Sequence, residues 1–404
     1  MKSIGLAARN LRRSVRRTSL ALAIVCGGVI AFLLAGGFIS WILVDMREST
    51  IHSQLGHVQV TRPGFFREGL GDPYAYLLPE SIAALGAASD PRIRTVAPRL
   101  AFSGLISKGD DTVSFVGEGI DPQAEAPITR AIVIVEGKDL TNAPEDSVLL
   151  GEGLAANLGA RPGDKVVLLS TTAEGNVNAV ELNVAGLFQT ITKAYDDTAL
   201  RAPIEVARRL MRVEGATSWA ILLDHTNSTD AAIADLRMRL PAAEFEIIPW
   251  TELADFYNKT VELFTKQVGV VRFLIAFIVV LSISNTLTMA VIERTSEIGT
   301  AMAIGVRRRG ILVQFIWEGA LLGVLGGVLG VVLGFILSEI ISAIGIPMPP
   351  PPGMARGYIG QIAISPGLAI DAWLLAFLTT LAASIFPALK ASRLNIVDAL
   401  RHQR

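Results

Sequence analysis

The chain has 404 residues, 51% of them hydrophobic and 18% charged, with 36 Lys and Arg against 37 Asp and Glu and a mean hydropathy of +0.49. That balance excludes a disordered chain and gives no basic footprint for nucleic acid, so no nucleic-acid partner is expected. It describes a polytopic membrane protein with a substantial soluble part, in two or three domains by length.

Residues 1–19 read as a basic amphipathic helix on the cytoplasmic side. They carry Lys2, Arg9, Arg12, Arg13, Arg16 and Arg17, and no acid. Leu20–Val44 is the first apolar span. It is longer than the roughly 7–15 residues of a signal-peptide core and has no convincing cleavage site, so it is read as a retained anchor whose helix continues as a stalk to residue 54. The only cysteine, Cys26, lies inside it, which excludes an intrachain disulfide and suits a small apolar filler.

Residues 55–249 read as a mixed α/β domain. Strand-like runs rich in β-branched residues are His57–Thr61, Thr112–Val116, Ala131–Val135, Lys165–Ser170, Val180–Ala185 and Trp219–Leu223. Helix-like runs are Pro79–Ala88, Gly151–Leu158, Ile204–Met211 and Thr229–Leu240. Pro249-Trp250-Thr251 then opens a helical pattern that runs to Ile292, about 42 residues or about 63 Å. It is twice what a bilayer needs, so residues 250–292 are read as a stalk plus the second span. Two helices with a kink near Lys266–Gly269 are the alternative.

Residues 293–310 form a patterned loop: Glu293 and Glu297, a small apolar turn, Gly305, then Arg307, Arg308 and Arg309. The third span, 311–346, carries two small-residue rows, Gly319/Gly323/Gly327 and Gly326/Gly330/Gly334, which suit close helix packing within the chain or at a dimer interface. Glu318 and Glu339 lie near its ends, and Glu318 is a candidate proton relay. The outer loop, 347–367, holds Met348 to Gly353 with four consecutive prolines, a stiff polyproline path. The fourth span is 368–389, and 390–404 is a tail.

Charge sets the orientation. The 293–309 loop has a net charge of +2 and the tail +3, whereas Asp45–Lys266 holds 20 basic and 31 acidic residues, a net of −11. Basic residues near span ends stay inside, so both termini and the loop are expected in the cytoplasm and residues 45–266 outside.

Motifs for chemistry are missing. Gly159 to Lys165 has the wrong spacing for a phosphate loop and reads as a turn feeding a strand. His52, His57, His225 and His402 make no zinc spacing, and His52 and His57, five apart, fall on different helix faces. No nucleophile elbow occurs. A non-catalytic chain without metal or cofactor is expected.

Several stretches resemble the permease subunits of the MacB/FtsX/lipoprotein-releasing group, the type VII ABC transporters. They are Glu293 to Gly299 with Ala303-Ile304-Gly305, Phe386 to Arg393 with Asp398-Ala399-Leu400-Arg401, Leu6 to Arg13, and Leu149 to Ala155 with Pro162-Gly163-Asp164. Gly56 to Val60 looks most like the lipoprotein-releasing members. The resemblance implies an α-helical polytopic protein with four transmembrane helices and one large α/β extracytoplasmic domain. That domain would have a porter-like part and a β-rich insertion at about 105–200.

It also implies two copies of an ABC-type ATPase that bind ATP and Mg, a second permease, identical or homologous, and a periplasmic adaptor or lipoprotein carrier. The place is a bacterial inner membrane. The loop corresponds to a coupling helix whose ATPase contacts would be Glu293, Arg294, Glu297, Ile298, Gly299, Ala301, Met302, Ile304, Gly305 and Arg307. The expected work is to relay ATP-driven motion to the periplasmic domain, extracting or exporting lipoprotein or other amphipathic cargo. Alternatives are efflux through an adaptor and outer-membrane duct, and an FtsX-like scaffold that activates a cell-wall hydrolase.

Overall fold

The computed structural model describes residues 2–69, 71–79, 90–349 and 357–395. The chain divides into a helical unit (residues 1–44, 260–347 and 359–404) and a soluble unit (residues 45–259 and 348–358). The expected helix at Pro79–Ala88 beyond its first residue, the prolines at 350–352 and the tail motif at Asp398–Arg401 lie outside the described residues.

In chain order the elements are α1 (Lys2–Arg13), α2 (Val15–Thr50), β1 (Val58–Thr61), β2 (Ile93–Lys108), β3 (Asp111–Ile120), α3 (Pro122–Glu125), β4 (Val133–Gly137), β5 (Ser147–Gly151) and α4 (Glu152–Leu158). Then come β6 (Lys165–Thr171), β7 (Val177–Gln189), α5 (Lys193–Asp196), β8 (Ala199–Pro203), α6 (Ile204–Met211), β9 (Ser218–Leu223), α7 (Thr229–Arg239), β10 (Glu246–Pro249) and α8 (Trp250–Leu253). The chain closes with α9 (Asp255–Glu293), α10 (Thr295–Ala303), α11 (Arg308–Ile344), β11 (Ile346–Met348), β12 (Tyr358–Gly360) and α12 (Pro366–Ser392).

Among the described residues four helices are long and apolar enough to cross a bilayer: α2 with its terminal π-turn, α9, α11 and α12. The long helix expected from Trp250 starts instead at Asp255. Trp250–Leu253 is a separate turn, and Ala254 leaves the helical region (φ −88°, ψ 56°). From there α9 runs 39 residues, about 58 Å, with no break at Lys266–Gly269. At α12 the start is built in sequence: Pro366 supplies a fixed φ where no N–H partner is needed, and Ser365 Oγ accepts from Leu368 N at 3.2 Å.

In the helical unit Val25, Val29 and Leu33 of α2 meet Val279, Ile283 and Leu287 of α9, Leu322 of α11 and Ala372, Ala376 and Ala383 of α12. The two glycine rows of α11 serve two neighbours. A methyl at Gly319 would lie 2.5 Å from Ser384 Cβ, and one at Gly327 2.8 Å from Trp373; at Gly323 it would strike Thr380 Oγ1, all on α12. At Gly326, Gly330 and Gly334 it would meet Val25 at 2.8 Å, Val29 at 2.6 Å and Leu33 at 2.8 Å, all on α2. Both rows are therefore filled inside one chain, each letting a neighbouring helix approach its backbone.

The soluble unit carries one ten-stranded sheet in the order β10-β1-β9-β2-β3-β8-β5-β7-β4, with β6 pairing both β2 and β7. In β6, Val166, Leu168 and Ser170 are buried while their neighbours are exposed, the period of two that seats one strand face on a core. No boundary falls at residue 105. β2 pairs with β9 through Arg99, with β3 from Arg99 to Lys108, and with β6 at Leu105–Ser107, so one strand serves both the porter-like part and the β-rich part. One core gathers Leu100, Phe102, Phe115, Leu154, Leu168 and Leu210; another gathers Val58, Trp219, Ile221, Leu236 and Phe245.

Candidate functional site

The 293–309 loop folds into a hairpin of helices whose caps are local. Arg294 leaves the helical region (φ −104°, ψ 17°), ending α9. Thr295 Oγ1 returns to the carbonyls of Val291 and Ile292, each at 2.9 Å, and α10 restarts at once. Glu297 sits in its first turn, where the helix dipole favours an acid. Gly305 ends it with φ +102°, a conformation that disfavours any side chain, while Val306 N reaches the Ala301 carbonyl at 3.0 Å.

One face of α10 is closed. Ile298 and Met302 pack with Val291, Ile311, Phe315, Ala388 and Ala391. Gly299 is buried beside them and Ala301 is half-buried. The other face and the tip are open: Thr300, Ala303, Gly305, Val306 and Arg307 are exposed, and Ile304 is 80% exposed. Of the ten residues expected to meet a partner, Ile298, Gly299 and Met302 thus anchor the helix, and Ile304, Gly305 and Arg307 face outward.

Charges tie this helix to α1, a connection the sequence reading missed. Arg13 of α1 pairs with Glu297 of α10 at 3.1 Å, and next to this pair Arg17 at the start of α2 meets Glu293 at the end of α9. Arg294 lies 3.1 Å from Glu318 Oε1 and stacks over Phe315, while Asn10 Nδ2 donates to the same Glu318 oxygen at 2.7 Å. Glu318, 2% exposed, is held by these two donors. The exposed pair Arg13–Glu297 adds little stability; the buried Glu318 knot is the one that fixes geometry.

The soluble unit has its own charged centre. Arg99 and Arg201 are both buried, between Glu118 and Glu125. Arg99 meets Glu125 at 2.5 Å and Glu118 at 3.3 Å, and Arg201 meets Glu118 at 3.0 Å. Arg99 also donates to the Gln54 carbonyl, and Arg201 to the Ser53 carbonyl at 3.2 Å. These are carbonyls of the π-turn that ends the α2 helix, where a cation complements the dipole. Burial works against the Arg201 charge, but Tyr195, Glu118 and Glu125 outweigh it and hold its pKa above the ordinary value.

His52 and His57, expected on different helix faces, come together with ring centres 6.1 Å apart, because Gly56 (φ +66°) reverses the chain after the π-turn. His57 Nδ1 accepts from Leu223 N at 3.0 Å and Nε2 lies 3.1 Å from Thr226 Oγ1. Burial, then the neighbouring His52, pushes its pKa down to about 4. Among the described residues no three metal-ligating side chains converge. The glycine segment at 159–165 is a turn into β6, with Asp164 Oδ2 accepting from Arg161 N at 2.8 Å and Lys108 Nζ at 2.6 Å.

The model of the MacB-like periplasmic core domain matches residues 18–239, more than half the chain, and that of the FtsX-like permease C-terminal domain matches residues 269–396. The chain belongs to this MacB-like, FtsX-like permease family. It is similar to the lipoprotein-releasing system transmembrane protein LolC of Xylella fastidiosa, 25% identical over 59% of this chain and 59% of that one. It is also similar to the macrolide export ATP-binding/permease protein MacB of Hyphomonas neptunium, 28% identical over 99% of this chain and 60% of that one. The chain thus spans about 60% of the length of these relatives. Among solved structures, the periplasmic region of MacB from Actinobacillus actinomycetemcomitans aligns with 53% of this chain and 94% of its own at 14% identity and a TM-score of 0.37.

Proposed function

We propose that this permease is the membrane subunit of an ABC transporter, standing in a bacterial inner membrane with its termini and α10 in the cytoplasm and its sheet domain in the periplasm. ATP is hydrolysed on two copies of a separate ATPase. The chain works beside a second permease and hands ATP-driven motion to the periplasmic domain.

The observation that carries this reading is the two-sided α10. Ile298 and Met302 are rooted in the bundle, while Ile304 stands 80% exposed at the tip beside Val306. Two exposed apolar residues at the tip of one cytoplasmic hairpin suit an apolar pocket on a partner. The 39-residue α9 ends directly at this helix, so a push on α10 acts on a stiff rod. The cargo is a lipoprotein or another amphipathic molecule taken from the outer leaflet.

Similarity to a macrolide exporter over 99% of the chain supports a second reading, efflux of small molecules or peptides with an adaptor and an outer-membrane duct. Mass spectrometry of the ATPase-bound complex in nanodiscs tests the choice. Co-purifying lipoprotein supports the first reading. An adaptor with no lipoprotein supports the second and overturns the first.

A further inference from the structure

The basic N-terminal segment, α1 with the start of α2, divides its arginines between two tasks. Arg13 and Arg17 pair with Glu297 and Glu293. Arg9 and Arg12, three apart and so neighbours on one side of α1, are exposed and make no salt bridge among the described residues. They stand on a cavity of about 560 Å³ whose apolar walls include Val15 and Leu22 of α2 and Leu321 and Leu325 of α11. Among the described residues no acidic side chain lines it. Val15 and Leu325, 67% and 49% exposed, continue the wall outward along the spans.

Two unspent guanidinium groups above an apolar furrow between membrane helices match one chemistry: a phosphate on a hydrocarbon chain. We propose that this cavity is a site for one anionic phospholipid. Its phosphate bridges Arg9 and Arg12, and one acyl chain lies against Val15, Leu22, Leu321 and Leu325. Basic pockets beside membrane helices favour such headgroups, whose attraction is steep near the surface. A zwitterionic lipid would bring an ammonium into a site that already holds two cations, so charge selects against it.

The site has a consequence for α10. The helix that cradles the phosphate also presents Asn10 to Glu318 and Arg13 to Glu297. Lipid bound to α1 therefore steadies the helix that supplies these partners to the loop. The inference stands on the membrane placement of the helices and is independent of which cargo is moved.

The test uses the full chain, stripped of lipid in mild detergent and titrated with phosphatidylglycerol or phosphatidylcholine, with bound lipids counted by native mass spectrometry. One phosphatidylglycerol per chain is expected to survive conditions that remove phosphatidylcholine. The Arg9→Gln/Arg12→Gln variant should weaken it about 25-fold, from about five-fold per guanidinium. Arg16→Gln, in the same basic segment but outside the cavity, should retain it. Leu325→Trp, which fills the furrow with no change of charge, should lose it.

Equal retention of phosphatidylcholine overturns the proposal. So does an equal loss with Arg16→Gln, which would mean diffuse attraction, or binding that survives both Leu325→Trp and the double variant. A high-yield disulfide between two Leu325→Cys chains carrying Cys26→Ala would place a second copy over the furrow and overturn it as well.

Discussion

Arg294 at the start of the α10 hairpin lies 3.1 Å from the carboxylate of Glu318, buried in α11, and Asn10 of the N-terminal helix donates to the same oxygen at 2.7 Å. Three separate stretches of chain meet at one acceptor. Glu318 is a knot that sets where the hairpin stands, and its use as a structural acceptor leaves no need for a proton relay.

Removing that acceptor leaves two donors without their shared partner. Glu318→Ala is expected to cost about 2–3 kcal/mol and to speed hydrogen exchange across residues 294–306. Glu318→Gln keeps an acceptor oxygen and should cost about 1 kcal/mol. Thermal unfolding in detergent with exchange mass spectrometry reads both. Equal exchange in Glu318→Ala and the parent would remove Glu318 from this role.

The glycines of α11 give a packing prediction with an internal control. At Gly330 a methyl would lie 2.6 Å from Val29 Cβ and 3.1 Å from the Cys26 carbonyl, so Gly330→Val should force α2 and α11 apart and cost several kcal/mol, like other overpacked sites. Gly269 of α9 has nothing within 4 Å of that position. Gly269→Ala should therefore stabilise by up to about 1 kcal/mol through helix propensity. Lost transport with intact folding in Gly269→Ala would instead reveal a hinge there.

The low pKa of His57 makes the soluble domain sensitive to acid. In the folded chain the ring stays neutral down to about 4, while the unfolded chain takes up its proton near 6.5. The unfolded state thus holds more protons between these values, and stability falls as pH drops from 6.5 towards 4, with a slope approaching one proton per molecule. His52, also lowered by burial and Arg130, acts in the same direction. Melting followed by the buried Trp219 should shift downward across this window, and His57→Gln should flatten the slope.

Arg201 neutralises Glu118 and Glu125 and holds the Ser53 carbonyl. Arg201→Met leaves the buried Glu125 and the half-buried Glu118 to Arg99 alone and is expected to cost about 3–5 kcal/mol. Arg201→Lys keeps the charge but loses the planar fork, so it should recover only part of this. A melting temperature unchanged in Arg201→Met would contradict the account of the cluster.

The sequence was most readable where one pattern ran long. Four apolar stretches stand as four long helices, and runs such as Ile204–Met211 and Lys165–Ser170 fall on α6 and β6 because local period and burial agree there. The longest strand, β2, stayed hidden: Pro98, Gly104 and two arginines interrupt its alternation, and its ladder to β3, β6 and β9 supplies what propensity lacks. At the loop, the caps at Thr295 and Gly305 could be read from residue type. The inward turn of Ile298, Gly299 and Met302 could not, since it depends on where α11 and α12 lie. The Arg99–Arg201 cluster and the Asn10–Glu318–Arg294 knot join residues far apart in the chain, and no spacing rule reaches that distance.

The most direct test is recovery of an ABC-type ATPase with the full-length chain in detergent, using the parent, Ile304→Asp and Gly269→Ala. Loss of one exposed apolar anchor and the burial of a charge should lower ATPase recovery at least ten-fold in Ile304→Asp, with melting unchanged because Ile304 is 80% exposed. Gly269→Ala should recover as much as the parent. An ATPase that remains bound to Ile304→Asp at parental levels would contradict the account.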